Sequence, residues 1–314
     1  MSSSAPSPAP APRVWTIEAV LRWAADDFRA RGIDTPRLDA ELLLAHALGS
    51  TRIALIVDAK RELDGRELGL LREFVTRRRS REPMAYILGQ REFYGRAFRV
   101  DRRVLVPRPD TETLVEVALE RTRSVSMSMR ALDLCTGSGC VAITLARERP
   151  TSRVVATDTS EDALAVARDN ATRLGAYNVA LRAGNLFGAL EPRPRGDTPD
   201  GAPARRGCSF DVVTANPPYV PSGEIAALMA DVRDFEPRLA LDGGDDGLAI
   251  VRRVVAEAPA HLDTGGVLAV EVGAGEATEV ARLFAQAGFD GIDVRRDYAR
   301  VERVVSGMLK ERRT

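Results

Sequence analysis

From about residue 131 onward, short apolar runs alternate with longer stretches whose apolar positions recur every three or four residues. The runs at 131–134, 153–157, 179–183, 210–215 and 267–272 read as strands covered on both faces, because they lack a regular polar alternation. The stretches at about 139–148, 160–174, 245–261 and 276–287 read as helices between them, and another helix is expected at about 110–122. Strand candidates at 291–295 and 301–309 close the series. Parallel neighbours need a crossover from one end of the sheet to the other, so this alternation restricts the chain to an α/β architecture: a mostly parallel sheet with helices on both faces.

The 314 residues leave room for a second domain. Residues 1–13 form a Ser/Ala/Pro tail that neither helix nor strand accommodates, because proline removes donors and fixes φ; disorder is expected there. Ile17, Val20, Leu21, Ala24 and Phe28 then fall on one helical face that Gly32 ends. A second helix starts near Thr35-Pro36 and reaches Gly49. A third carries Leu68, Leu71, Phe74 and Val75 into the basic run Arg77–Arg81, where positive charge complements a helix C-terminus and is expected to be solvated. Residues 14–82 are therefore expected to be a helical bundle. Residues 83–109 read as a β-hairpin linker, with 84–106 rich in aromatic and β-branched positions broken by Gly89 and Gly95. The catalytic region is expected over 110–314, with a flexible Pro/Gly/Arg-rich insertion at 189–208.

Composition excludes several function classes. With 45 Lys+Arg against 45 Asp+Glu, the chain lacks the basic surplus of a protein that coats nucleic acid. Cys135, Cys140 and Cys208 form no C-x-x-C pair, which argues against a disulfide scaffold or zinc ribbon, and His46 and His261 are too few for a histidine metal cluster. Both histidines are expected to be structural. No stretch approaches ~18 apolar residues and no leader pattern opens the chain, so a cytoplasmic protein with no membrane contact is expected.

Asp133-Leu134-Cys135-Thr136-Gly137-Ser138-Gly139-Cys140 sits where the first of these strands hands over to a helix. Glycines there allow tight turning and close ligand approach, and the helix start offers unpaired N–H donors. Asp158 ends the next strand, where a carboxylate can accept both hydroxyls of a ribose. The loop also fits the dinucleotide pattern through Gly137, Gly139 and Ala142, so an NAD enzyme stays open at this point. Asn216-Pro217-Pro218-Tyr219 follows the strand at 210–215, at the end of the sheet where open α/β folds bind ligands. Asn216 offers a side-chain carbonyl, and each proline offers a backbone carbonyl without its own N–H. Such acceptors can clamp a planar NH₂ group whose lone pair is conjugated, with Tyr219 packing against its plane. An NAD reading does not explain this tetrad.

These motifs, in this order, resemble a class I S-adenosylmethionine-dependent methyltransferase. Residues 83–89 (PMAYILG), 92–95 (EFYG), 106–112 (VPRPDTE), 235–237 (FEP), 271–273 (EVG), Asp297-Tyr298 and 303–305 (RVV) further resemble the HemK/PrmC family of peptide chain release factor N(5)-glutamine methyltransferases, over roughly residues 15–310. The resemblance implies a Rossmann-like, seven-stranded, mostly parallel sheet joined by a hairpin linker to an N-terminal helical substrate-recognition domain. It implies S-adenosyl-L-methionine as cofactor, S-adenosyl-L-homocysteine as product, and the glutamine of a Gly-Gly-Gln loop in class I release factors as methyl acceptor. Cys135, Thr136, Gly137, Ser138 and Gly139 would hold the amino-acid part of the cofactor and Asp158 its ribose. Asn185 and Leu186 would border the adenine. Asn216 would face both cofactor and substrate. Asn216, Pro217, Pro218 and Tyr219 would carry the chemistry, with Arg108 and Glu112 on the substrate side.

A monomer with no direct nucleic-acid requirement is expected. Cys135 stands where the family often has glycine, Asn185 where aspartate is frequent and Glu276 where glutamine is common. Three other readings stay open: a sister enzyme methylating a glutamine of a large-subunit ribosomal protein, an N6-adenine DNA methyltransferase using the same tetrad, and a non-catalytic cofactor-binding module.

Overall fold

The computed structural model describes residues 14–125, 128–190 and 209–310. The expected tail at 1–13, Cys208 and all but the first two residues of the expected insertion at 189–208 lie outside the described residues. The chain divides into two compact units, Met1–Leu88 and Gly89–Thr314.

The first unit comprises helices Ile17–Ala30, Pro36–Ala47, Arg52–Val57, Gly65–Arg79 and Met84–Leu88. Asp64 and Glu67 form a reciprocal capping box at the start of the fourth helix, satisfying two donors that a helix start leaves open. Phe28, Leu43, Leu44, Leu55, Leu71 and Val75 fill the core, each fully buried side chain contributing roughly 1.5–3 kcal/mol. The basic run is not the solvated face expected of it. Arg78 is buried and donates to Asp39 at 2.8 Å, Arg77 and Arg79 pair with Glu82 and Asp27, and Arg81 donates to the Arg31 and Gly32 carbonyls. These arginines stitch the bundle together.

Residues 84–88 also depart from the hairpin reading. After Pro83, the N–H groups of Tyr86 and Ile87 return to the Pro83 carbonyl, and the helical turn buries Ile87 in the bundle core. The hairpin itself is shorter, pairing β1 (Gln90–Phe93) with β2 (Arg96–Arg99).

In the second unit, β3 (Arg130–Leu134), β4 (Arg153–Asp158), β5 (Val179–Ala183), β6 (Phe210–Ala215), β7 (Leu262–Glu271), β8 (Phe289–Arg296) and β9 (Glu302–Leu309) form one seven-stranded sheet in the order β5-β4-β3-β6-β7-β9-β8. Only β9 runs against the rest. Successive strand residues serve opposite cores: Ala131, Val212, Val267 and Ala269 belong to one, Leu132, Val213, Leu268 and Val270 to the other. Helices Glu112–Arg121 and Cys140–Glu148 cover the first face, and Ala249–Glu257 and Ala277–Gln286 the second. The helix expected at 245–261 is confined to Ala249–Glu257, followed by a separate 3-10 turn.

The chain winds outward from β3 through β4 to β5, then returns to the other side of β3 as β6. Connections diverge at that reversal and leave a crevice at the carboxyl ends of the strands. Leu134 pairs with both Thr157 and Ala215. Cys135 and Asn216, each one residue beyond its strand, therefore leave the sheet beside Asp158, the last residue of β4.

Candidate active site

A pocket opens at this crevice. Its walls bring together Cys135 to Ser138, Asp158, Asn185, Leu186, Asn216, Pro218 and Arg108, and the linker adds Val104 and Pro107. Gly139, Pro217, Tyr219 and Glu112 do not line it. Gly139 is the turn residue behind the loop, where φ is +82° and an added Cβ would lie 2.8 Å from Ile143 and 3.2 Å from Ala167. Glu112 accepts the Tyr94 backbone N–H at 2.8 Å and so anchors the hairpin. Burial pushes the phenol of Tyr219 up to about 12.

At the loop end, Gly137 N–H donates to Asp158 Oδ2 and Ser160 N–H to Oδ1, both at 2.9 Å. The Thr159 backbone adds a further bond to this carboxylate. Burial raises the Asp158 carboxyl, against the pull of these backbone bonds. Asp133 accepts from Thr136 at 2.6 Å and from Thr214 at 2.8 Å, tying the loop to β6 two residues before the tetrad. Full burial pushes Asp133 up to about 6 despite both hydroxyls. Asn170, a residue sequence reasoning missed, donates to the Ser138 and Arg99 carbonyls at 3.0 Å and ties the loop to β2. Nothing in the local sequence separates it from any other helical asparagine.

Cys135 has φ +56° and Leu186 φ +52°. Each occupies the left-handed region that costs a non-glycine residue roughly 1–2 kcal/mol, so the family's frequent glycine at 135 has a steric reason. Burial pushes the thiol of Cys135 up and that of Cys140 up to about 12, which keeps both protonated near neutrality. Asn185 Oδ1 accepts from Arg253 at 3.2 Å, so the acceptor expected to face adenine is engaged by a neighbouring helix.

At the tetrad end, Asn216 Nδ2 donates to Thr111 Oγ1 at 3.2 Å, while Oδ1 has no donor among the described residues. Glu271, at the end of β7, is buried next to both side chains, and burial pushes its carboxyl up to about 7. Arg303 pairs with Asp297 and Asp110 at 3.2 and 3.3 Å behind this cluster. Arg108 donates to Glu236 Oε1 at 2.6 Å. The backbone after the tetrad is clamped by Val220 and Gly243: Val220 N–H reaches the Leu241 carbonyl, and Gly243 N–H returns to Val220, both at 2.9 Å. At Gly247, φ +80°, an added Cβ would lie 2.4 Å from the Tyr219 carbonyl. Glu276, which had no sequence role, accepts the Gly273 N–H at 2.8 Å, a bond that glutamine's carbonyl could also accept.

His261 stacks on Phe187 at 4.5 Å and His46 packs on Phe74 at 5.2 Å, and neither lines the pocket. Among the described residues no cluster of His, Cys, Asp and Glu could hold a metal, and no helix is long and apolar enough to cross a membrane.

Comparison with known proteins follows the same division. A family model described as the PrmC N-terminal domain matches residues 19–89, and one described as a methyltransferase domain matches residues 126–271. The release factor glutamine methyltransferase of Geobacter sulfurreducens is 41% identical over 298 residues, covering 95% of this chain and 98% of that one. Its namesake in Chlorobaculum tepidum is 40% identical over 305 residues, covering 96% and 100%. That of Nitratidesulfovibrio vulgaris is 39% identical over 293 residues, covering 92% and 94%.

Proposed function

The chain belongs to the release factor glutamine methyltransferase family, and from that membership and its pocket we propose the reaction in full. A methyl group passes from S-adenosyl-L-methionine to the side-chain amide nitrogen of the glutamine in the Gly-Gly-Gln loop of a class I release factor. The observation that carries this reading is Asn216 at the pocket wall: its Nδ2 is held by Thr111, and its Oδ1 lacks a donor among the described residues.

S-adenosyl-L-methionine, when bound, supplies an electrophilic methyl on a sulfonium. The loop end suits it, because backbone N–H groups fix the orientation of the Asp158 carboxylate at the pocket wall, where it can accept from the ribose hydroxyls. Residues 135–139 would hold the amino-acid portion, and Leu186 the adenine face.

The glutamine amide is a poor nucleophile, since resonance ties up its lone pair, as the ~18–20 kcal/mol rotation barrier of an amide indicates. Asn216 Oδ1 and a proline carbonyl of the tetrad accept its two hydrogens. Those bonds strengthen as the nitrogen becomes pyramidal, so they stabilise the transition state more than the ground state. Tyr219 supports the clamp from behind. Methylation leaves the nitrogen acidic enough for water to take its proton; Asp133 and Glu236 are committed to Thr136, Thr214 and Arg108.

The test is incubation of the purified chain with S-adenosyl-L-methionine and, separately, an unmodified class I release factor, the large-subunit ribosomal protein and duplex DNA, followed by mass spectrometry of peptides or nucleosides. Methyl on the Gly-Gly-Gln glutamine, absent with Asn216→Ala, is expected. Methyl only on the ribosomal protein or on adenine would overturn the substrate assignment.

A further inference from the structure

The register that pairs Ala215 with Val270 places Glu271, one residue on, beside Asn216. Glu271 is 1% exposed, and its neighbours Leu268, Val270 and Val272 are wholly buried. Carboxylates are costly in such surroundings unless paired and fully hydrogen-bonded. Its Oε2 has no hydrogen-bond partner among the described residues. The Thr111 hydroxyl, the Asn216 amide and the Arg303 charge all favour the ionised form, against the larger effect of burial.

The two ends of an asparagine amide have almost the same shape and opposite hydrogen-bonding character. Packing alone therefore cannot choose which end faces the substrate; acceptors behind the amide can. Thr111 already accepts from Asn216 Nδ2, which leaves its own hydroxyl proton to be given elsewhere. An ionised Glu271 supplies only acceptors to this pair. We propose that Glu271, acting with Thr111, is a positioning residue that holds the Asn216 amide donor-inward, so that Oδ1 faces the substrate nitrogen. This rests on the amide-clamp reading of the tetrad.

Protonation would give Glu271 an O–H donor and remove that preference. The charged and titratable groups around it are Arg303 from β9, Asp110 preceding helix Glu112–Arg121, Tyr219 from the tetrad loop and Cys140 from helix Cys140–Glu148. Arg303 stays charged, and Tyr219 and Cys140, both at about 12, stay neutral through the working range. Asp133 also titrates near 6, so the diagnostic quantity is the difference between wild type and Glu271→Gln.

The experiment measures single-turnover methylation of an unmodified release factor at saturating S-adenosyl-L-methionine between pH 5.5 and 8.5. The variants are Glu271→Gln, Thr111→Val, Asn216→Ala, Asn216→Asp and the double variant Asn216→Asp with Glu271→Gln. Glu271→Gln is expected to lower the rate about tenfold at pH 8 with cofactor affinity unchanged, and to flatten the acid limb. With Asn216→Asp, either orientation presents an oxygen and a second carboxylate faces Glu271. There the same Glu271→Gln change is expected to raise the rate.

Loss of rate in both backgrounds would mark Glu271 as merely structural and overturn the proposal. A wild-type rate for Glu271→Gln beside an inactive Asn216→Ala would overturn it too, leaving the clamp intact. An active Asn216→Ala would instead overturn the clamp. Should Glu271→Gln fail to fold, an unchanged rate for Thr111→Val would overturn the positioning, and a loss of about threefold or more at constant cofactor affinity would support it.

Discussion

The two ends of the pocket solve the problem of buried charge in opposite ways. At the loop end, Asp158 receives two backbone N–H groups and Asp133 two hydroxyls, so every carboxylate oxygen there has a partner. At the tetrad end, Glu236 and Glu271 are both buried, yet Oε2 of each lacks one among the described residues. The first end is held by backbone donors and hydroxyls that leave its carboxylates fixed in place. The second is built from side-chain chemistry, and its polar groups keep unmet capacity near the reacting position.

The largest effect should come from disturbing the backbone end. Gly139→Ala puts a side chain at φ +82° and within 2.8 Å of Ile143. A loss of about 2–4 kcal/mol of stability is expected, with at least tenfold weaker cofactor binding, checked by denaturant melts and calorimetric titration.

At the tetrad end, the same contrast appears as pH dependence. Burial raises Glu271 from the ordinary carboxyl value of 4.5 to about 7 in the fold. A raised folded pKa means that the native state holds the proton longer, so this contribution to stability is complete below pH 4.5 and lost as pH rises through about 7. Relative to Glu271→Gln, wild-type stability should therefore fall between pH 5 and 8 by up to about 1.4 kcal/mol per pH unit. Thermal melts of the two proteins across that range would show it. Activity should move the other way over the same range, because the ionised form is the one that orients Asn216.

How far this contrast could be read from sequence follows from its chemistry. The central strands were legible because burial on both faces leaves unbroken apolar runs, and the loop at 133–139 and the tetrad were legible because their residues sit at strand ends. Glu271 entered only as the wording of a motif. A carboxylate closing an apolar strand was its one local signal, and its meaning depends on the β6–β7 register. The arginines at 77–81 looked solvated because their partners, Asp27 and Asp39, are far away in sequence. Residues 84–88 were misread because a single apolar turn carries too little periodicity to separate helix from strand.

A smaller effect is expected at Arg108. Arg108→Met removes the charged partner of Glu236 Oε1 and leaves a buried carboxyl with only the Val106 backbone to favour its ionised form. The arginine side chain is 35% exposed, so solvent screening limits the cost to about 1–2 kcal/mol. Methyl transfer should suffer more than cofactor affinity, as single-turnover assays beside cofactor titrations would show.

The smallest effect returns to the loop. Cys135→Gly relieves the strain of φ +56° but adds freedom to the unfolded chain. Its net gain in stability should be under about 1 kcal/mol by denaturant melt, with cofactor affinity equal or better.

The division of labour between the two ends is tested most directly by measuring cofactor Kd and single-turnover transfer at saturating cofactor in the pair Asp158→Asn and Asn216→Ala. Asp158→Asn should weaken Kd about tenfold and leave the saturated rate within about threefold. Asn216→Ala should leave Kd within about threefold and lower the rate about a hundredfold. Proportional losses in both quantities for both variants would contradict the separation and make the pocket a single undivided site.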